Sequence, residues 1–408
     1  MAERPLTHRR LSRVRARAGT LYVLTPWWGK VLAVFAVSRI VSTAVLLSFA
    51  ARQPANAWTG PSPGYFDFAK LWDGHWYFII AVSGYPSELP LTDDGHVAEN
   101  AWAFMPAYPS LVRALMTLTG APFAGVAVVV SVLFAAAAAL LLYRLMNLVL
   151  PSSTALFSVV LFCFSPLSPL YQVAYAESMH TFLLTAALAL LLQRRYWMLL
   201  PVLALASLTR PSGLAFALTM VLHVAYRWWT RREDPFPARE RVAASVAAVF
   251  SGLTGLAWLL IAWAITGSLT AYTDTELAWR APYIGYTHLI PFTPWVQGAN
   301  WWLGEPTGAI LLAIAVAAFA ALMFTPWVRR LGVDLRLWVA SYVLYLLAVF
   351  FPQSSTPRLL LPTFPLFGAI AQPTAPVYRV AVVLLFILGQ IGWVHIAWWA
   401  DGVDWTPP

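Results

Sequence analysis

Residues 102–120, WAFMPAYPSLVRALMTLTG, decide how this chain is folded. As a membrane span, the segment would send every later hydrophobic stretch across the bilayer in one sense. As a helix lying along the membrane surface, it reverses that sense for all of them. Proline at 106 and 109, with polar residues on to Arg113, favours the surface helix, because proline inside a helix removes a backbone hydrogen bond.

That a bilayer is involved follows from composition. The 408 residues are 60 % hydrophobic and only 11 % charged, against about 25 % charged in soluble domains. Apolar runs of about 20 residues, the length that crosses a membrane, recur along the chain. A water-soluble core is excluded. The formal charge of +9 would suit a nucleic-acid partner, but the placement of the arginines accounts for it better.

Working outward from the surface helix, residues 122–146 run inward and 154–170 run out. Residues 178–192 return to Gln193-Arg194-Arg195, and 196–209 with 214–229 form a pair ending at Arg231-Arg232. Residues 242–266, 308–328, 337–351, 359–371 and 380–399 follow. With 31–50 at the start, the reading is an all-α polytopic membrane protein of about 11 transmembrane helices, with re-entrant or juxtamembrane helices in its first outer loop. Most of the 26 basic residues then face the cytoplasm and most of the 17 acidic ones face outside, as the positive-inside rule requires. The rival topology exports Arg194-Arg195 and Arg329-Arg330.

The basic segment Arg4 to Lys30 precedes an apolar stretch longer than the roughly 7–15 residues of a signal peptide's core, so 31–50 reads as a retained anchor, although Ala55-Asn56-Ala57 could pass for a cleavage site. The organisation expected is a cytoplasmic N-terminus (1–30), a first membrane module (31–230) with outer loop 51–121, a cytoplasmic linker (231–241), and a second module (242–408) with outer loop 267–306. Tryptophan pairs at 27–28, 228–229, 301–302 and 398–399 fall at proposed span ends, where indoles favour the interface. The single cysteine, Cys163, can form no intramolecular disulfide.

Polar residues collect on the outer side. Residues 196–209 and 359–371 reach only about 20 Å, short of a hydrocarbon core near 30 Å, so Arg210 and Arg358 are expected below the outer interface. A buried guanidinium there suits an anion or a water-filled cavity; capping helix carbonyls or pairing with Glu177 is the structural alternative. The first loop holds Asp73, His75, Asp93, Asp94, His96 and Glu99, and 267–306 adds Asp274, Glu276, Arg280 and His288. Asp73, among Trp72, Trp76 and Tyr77, is placed to act as a general base or to cap the helix that continues through Ile80. Asp93, Asp94 and His96 have no specific metal-ligand spacing.

Trp72-Asp73-Gly74-His75-Trp76-Tyr77, with Ile80-Ala81 and Gly84-Tyr85, resembles the first-loop signature of the PIG-V family, which includes the second mannosyltransferase of GPI-anchor assembly and bacterial relatives. Glu99 followed by Phe104-Met105-Pro106-Ala107-Tyr108-Pro109, then Tyr175-Ala176-Glu177-Ser178, Thr209-Arg210-Pro211-Ser212-Gly213 and Pro357-Arg358 through Pro365 are similar in order. Met105 departs from the family's more usual phenylalanine.

The resemblance implies a GT-C fold and an inverting glycosyltransferase that takes mannose from polyprenyl-phosphate mannose on the outer face of the plasma membrane. It implies Asp73 as base; for such a reaction Arg210 or Arg358, or both, are expected at the donor phosphate, with His75 or His288 as a further phosphate ligand. Glu99, Glu177, Trp72, Trp76 and Tyr108 would hold sugar or acceptor. No metal or cofactor is required beyond the lipid-linked donor, and no nucleic acid is expected as partner. The alanine- and arginine-rich composition suits an actinobacterium, so an envelope lipid or glycan is the expected acceptor. The alternatives are a lipid or small-molecule transporter or flippase, or the same reaction with another polyprenyl-phosphate sugar.

Overall fold

The computed structural model describes residues 23–287 and 290–400; the basic run Arg4 to Arg17 and His288 lie outside the described residues. Among those described, the chain is helical, with no β-strand beyond one isolated bridge between Leu91 and Val97. The elements used below are α1 (Trp27–Ala50), α2 (Asp73–Ser83), α3 (Ala107–Thr119), α4 (Phe123–Asn147), α5 (Ser152–Phe164), α6 (Glu177–Leu192), α7 (Tyr196–Ser207) and α8 (Gly213–Trp229). They continue with α9 (Ala238–Thr266), α10 (Ala271–Ala278), α11 (Thr293–Leu303), α12 (Thr307–Leu322), α13 (Val333–Val349), α14 (Thr356–Leu359) and α15 (Pro376–Trp393).

Among the described residues, four helices are long and apolar enough to cross a membrane: α1, α4, α9 and α15 with its extension to Trp398. The 24 residues of α1 measure about 36 Å at 1.5 Å per residue, enough for a core near 30 Å. The protein is a multi-pass membrane protein. Helix α3 has 13 residues, about 20 Å, and is not among the four. It buries Tyr108, Pro109 and Val112 and leaves Leu118 exposed. Helix α7, with 12 residues, is as short as its sequence suggests and ends three residues before Arg210.

Two stretches expected as single helices are broken, and proline explains both. Residues 154–170 stop being α-helical at Phe164, and a 3-10 turn over Ser168–Gln172 follows Pro166. Residues 359–371 resolve into α14, a 3-10 segment Leu361–Leu366 carrying Pro362 and Pro365, and a short turn Phe367–Ile370. The first break explains Arg39, the charge within α1. Its guanidinium donates to the carbonyls of Cys163 (3.1 Å) and Ser168 (2.8 Å) and to Gln172 Oε1 (3.1 Å), groups that the broken helix leaves unpaired.

Helices α4 and α6 pack together, as do α6 and α7, and α8 lies between α9 and α13. The α8–α9 crossing is glycine-lined. A Cβ on Gly213 would lie 2.6 Å from Gly255 Cα, and one on Gly255 would lie 2.7 Å from Leu214 N. The loop before α3 locks onto α9 and α10 at one end of this bundle. Asn100 Nδ2 donates to Thr275 Oγ1 (2.9 Å), and Trp258 Nε1 on α9 donates to the carbonyl of Trp102 (2.9 Å).

Candidate active site

Beneath the interlocked loops is a cavity of about 340 Å³. Its polar lining comes from the starts of α2 and α6, the turn between α7 and α8, and α14; α10 and the end of α13 also line it, and Leu214, Leu256 and Leu259 add apolar surface. Asp73 and Glu177 are the first residues of their helices, where the positive end of the helix dipole favours a carboxylate.

The position of Asp73 is set by the residue before it. Trp72 takes the helix-cap position with φ 58° and ψ −123°, a conformation that side chains rarely adopt. Packing holds it there: its indole nitrogen donates to the carbonyl of Trp398 (2.8 Å), and its ring meets Trp58 edge-on at 4.9 Å. The Asp73 N–H donates to the Tyr175 hydroxyl (3.0 Å). Asp73 is therefore not the helix cap allowed by the sequence, and its side chain makes no capping bond. It turns into the cavity.

There it meets both arginines. Asp73 Oδ2 accepts from Arg210 Nη2 (3.2 Å) and from Arg358 Nη1. Glu177 Oε1 pairs with the same two groups, with Arg210 Nη2 in a hydrogen bond and with Arg358 Nη1 at 3.6 Å. All four side chains are only 7–15 % exposed. The two charges of each sign cancel, as burial requires. The pairing of Arg210 with Glu177, the structural alternative weighed from sequence, is thus present and extends to Asp73 and Arg358. One oxygen of each acid stays outside this lattice. Among the described residues, Asp73 Oδ1 has no side-chain donor, and Glu177 Oε2 is buried without a hydrogen-bond partner.

The other expected site residues are dispersed. Trp76 stacks on Phe104 (5.7 Å) and meets Trp279 edge-on (5.8 Å), and those two rings line the cavity. Trp72 lies beneath Asp73 as its support. His75 packs near Trp58 and Phe78, with centroids at 6.1 and 6.4 Å, and is not part of the cavity lining. Glu99 is exposed, and Tyr108 is buried with its hydroxyl on Ala127 O and Ser131 Oγ. Asp93 and Asp94 are exposed in a turn, and His96 stacks on Tyr286 at 3.9 Å. His180, one turn along α6, and Tyr272, Glu276 and Arg280 also line the cavity, without a role expected from sequence. Their signal was the spacing of four between residues 272, 276 and 280, which places them along one helical face.

These features define a polytopic membrane protein with two acids and two arginines gathered in one cavity. Residues 33–264, more than half of the chain, match the family model described as Mannosyltransferase (PIG-V), and the chain belongs to that family. No curated protein matches it. Among solved structures it is similar to the archaeal oligosaccharyltransferase AglB from Archaeoglobus fulgidus in complex with an inhibitory peptide and a dolichol-phosphate, at 12 % identity and TM-score 0.45 over 93 % of this chain and 56 % of that one. It is also similar to the Archaeoglobus fulgidus oligosaccharyltransferase tethered with an acceptor peptide containing the NVT sequon, at 13 % identity and TM-score 0.44 over the same shares. The chain spans about half the length of these two proteins.

Proposed function

We propose that the protein is an inverting glycosyltransferase of the GT-C type, moving mannose from polyprenyl-phosphate mannose to a hydroxyl of an envelope lipid or glycan on the outer face of the plasma membrane. The observation that carries this reading is the meeting of Asp73, Glu177, Arg210 and Arg358 on one wall of a cavity with an apolar flank. The family membership supports it. The acceptor hydroxyl attacks the anomeric carbon while Asp73 Oδ1 takes its proton, and the bond from that carbon to the phosphate oxygen breaks. Arg210 and Arg358 fix Asp73 by its other oxygen, so the free one has a defined direction. Glu177 Oε2, buried and unpaired, accepts from a sugar hydroxyl. The prenyl chain lies along Leu214, Leu256 and Leu259.

The test is turnover of radiolabelled polyprenyl-phosphate mannose by protein in membranes that retain their native acceptors. Repeated transfer of label to an acceptor supports the reading. Movement of intact donor across the bilayer without transfer would identify a transporter instead.

A further inference from the structure

We propose that Arg280 is the residue that binds the donor's phosphate, and that Arg210 and Arg358, the obvious cations, do not touch it in the bound substrate. The proposal rests on the inverting reading above. In an inverting displacement the base and the leaving phosphate stand on opposite faces of the anomeric carbon. With hydrogen bonds near 2.8 Å and a near-attack separation of 3–3.5 Å, a cation on the phosphate stands roughly 8–10 Å from the base. Arg210 donates to Asp73 at 3.2 Å and Arg358 donates to the same oxygen. Both guanidiniums are therefore on the base's side of the sugar.

Arg280 is placed differently. It follows α10, lines the same cavity without pairing with Asp73 or Glu177 among the described residues, and is only 6 % exposed. Its Nη2 donates to the carbonyl of Val349 at the end of α13 (3.0 Å), which orients the guanidinium, while Nη1 is buried with no hydrogen-bond partner. No carboxylate lies within ion-pair distance of it among the described residues. A buried cation with an idle donor costs stability unless something anionic completes it. Tyr272, Tyr345 and Gln353 line the same cavity and can add donors. The nearest acid electrostatically is Glu276, whose carboxyl is held above its ordinary value, chiefly by burial.

Charge balance agrees. The Asp73–Glu177–Arg210–Arg358 lattice is already neutral, so the vacancy is for one negative charge, which is what a sugar–phosphate–lipid diester carries. On transfer, the anomeric C–O bond to phosphate breaks with its electron pair on the phosphate, which becomes a dianion. The new bond forms to the acceptor oxygen, and the acceptor's proton goes to Asp73. Arg280 then faces the oxygens on which the second charge collects.

The experiment measures binding of a long-chain polyprenyl phosphate and of the same polyprenol without phosphate to purified full-length protein in detergent, by quenching of tryptophan fluorescence. The quantity read is the ratio of the two affinities within each variant, which does not depend on the fraction of folded protein. The expected result is that Arg280→Gln lowers this ratio about 10- to 100-fold, the effect of one charge-assisted bond, and that Arg280→Lys restores part of it. Arg210→Gln should leave the ratio within about threefold of the original. A ratio unchanged in Arg280→Gln and lost in Arg210→Gln overturns the assignment while leaving the transferase reading intact. Failure of the unaltered protein to prefer the phosphate at all overturns both.

Discussion

Asp73 and Glu177 are equivalent as counter-ions but not as chemistry, and that difference can be measured. Each pairs with both Arg210 and Arg358, and each is at most 10 % exposed. Replacing either by its amide leaves two guanidiniums sharing one negative charge. Removing one partner of a buried pair costs about 3–5 kcal/mol, nearer the lower figure here because the amide oxygen still accepts a hydrogen bond. Asp73→Asn and Glu177→Gln should therefore lower the apparent melting temperature in detergent by similar amounts. Turnover should not follow. Loss of a general base costs about 10²- to 10⁴-fold, whereas loss of one hydrogen bond to a sugar hydroxyl costs about tenfold. The assay is label transfer from polyprenyl-phosphate mannose in native membranes, normalised to folded protein. Equal losses of turnover in the two variants would refute the role of Asp73 and reduce the lattice to a structural feature.

Further predictions follow from local geometry. Trp72→Phe removes the buried 2.8 Å bond to the Trp398 carbonyl, costing about 1–3 kcal/mol, and frees the strained bend that aims Asp73; thermal melts and transfer assays should both register it. Gly255→Ala places a methyl 2.7 Å from Leu214 N and 2.9 Å from Gly213 C. Because these are backbone atoms, the helices must separate, and the variant should melt earlier and transfer more slowly; normal behaviour in both would refute the close-packing argument. Glu276→Gln should stabilise the protein at neutral pH. Burial raises the folded-state value of Glu276 above the ordinary 4.5, against the opposing pull of Arg280, Tyr272 and Arg210. Its protonation therefore favours the folded state at low pH, and that advantage is lost as pH rises toward the folded value. The gain from glutamine should vanish below about pH 4.5 and grow above it, and melts across pH would show this.

The four residues of the lattice were legible in the sequence because each stands at or near a helix end: Asp73 and Glu177 begin α2 and α6, Arg210 follows α7 just before Pro211, and Arg358 lies in the short α14 beside Pro357. What the sequence could not supply was their partnership, since residues 73, 177, 210 and 358 meet only through tertiary packing. His75 illustrates a second limit. Two residues along a helix is a rotation of about 200°, so the neighbour of Asp73 in sequence faces Trp58 rather than the cavity. Arg280 was hidden for another reason: residues 267–306 have the aromatic and polar composition of any membrane-interface loop. The prolines at 166, 169, 362 and 365 carried the signal for the two broken helices, but hydropathy averaged over a window conceals a break that leaves the segment apolar.

In the reaction proposed above, with Arg280 on the donor phosphate, the lattice and Arg280 divide the electrostatics between them. Before transfer, Asp73 is charged and the lattice is neutral. Once Asp73 holds the acceptor's proton, Arg210 and Arg358 share only Glu177, and the wall behind the sugar becomes net positive. That charge appears as the phosphate across the sugar gains its second negative charge. At roughly 10 Å and an effective dielectric near 20, the attraction is on the order of 1–2 kcal/mol, a term present in the transition state and absent from the bound substrate, as catalysis requires. Arg280 grips the phosphate throughout and so governs donor affinity, whereas Arg210 and Arg358 act as Asp73 is neutralised and so govern the rate. Arg280→Gln should accordingly raise the donor KM with a smaller change in kcat, and Arg358→Gln should do the reverse. The same change of KM and kcat in both variants would show that the two walls do not divide the work.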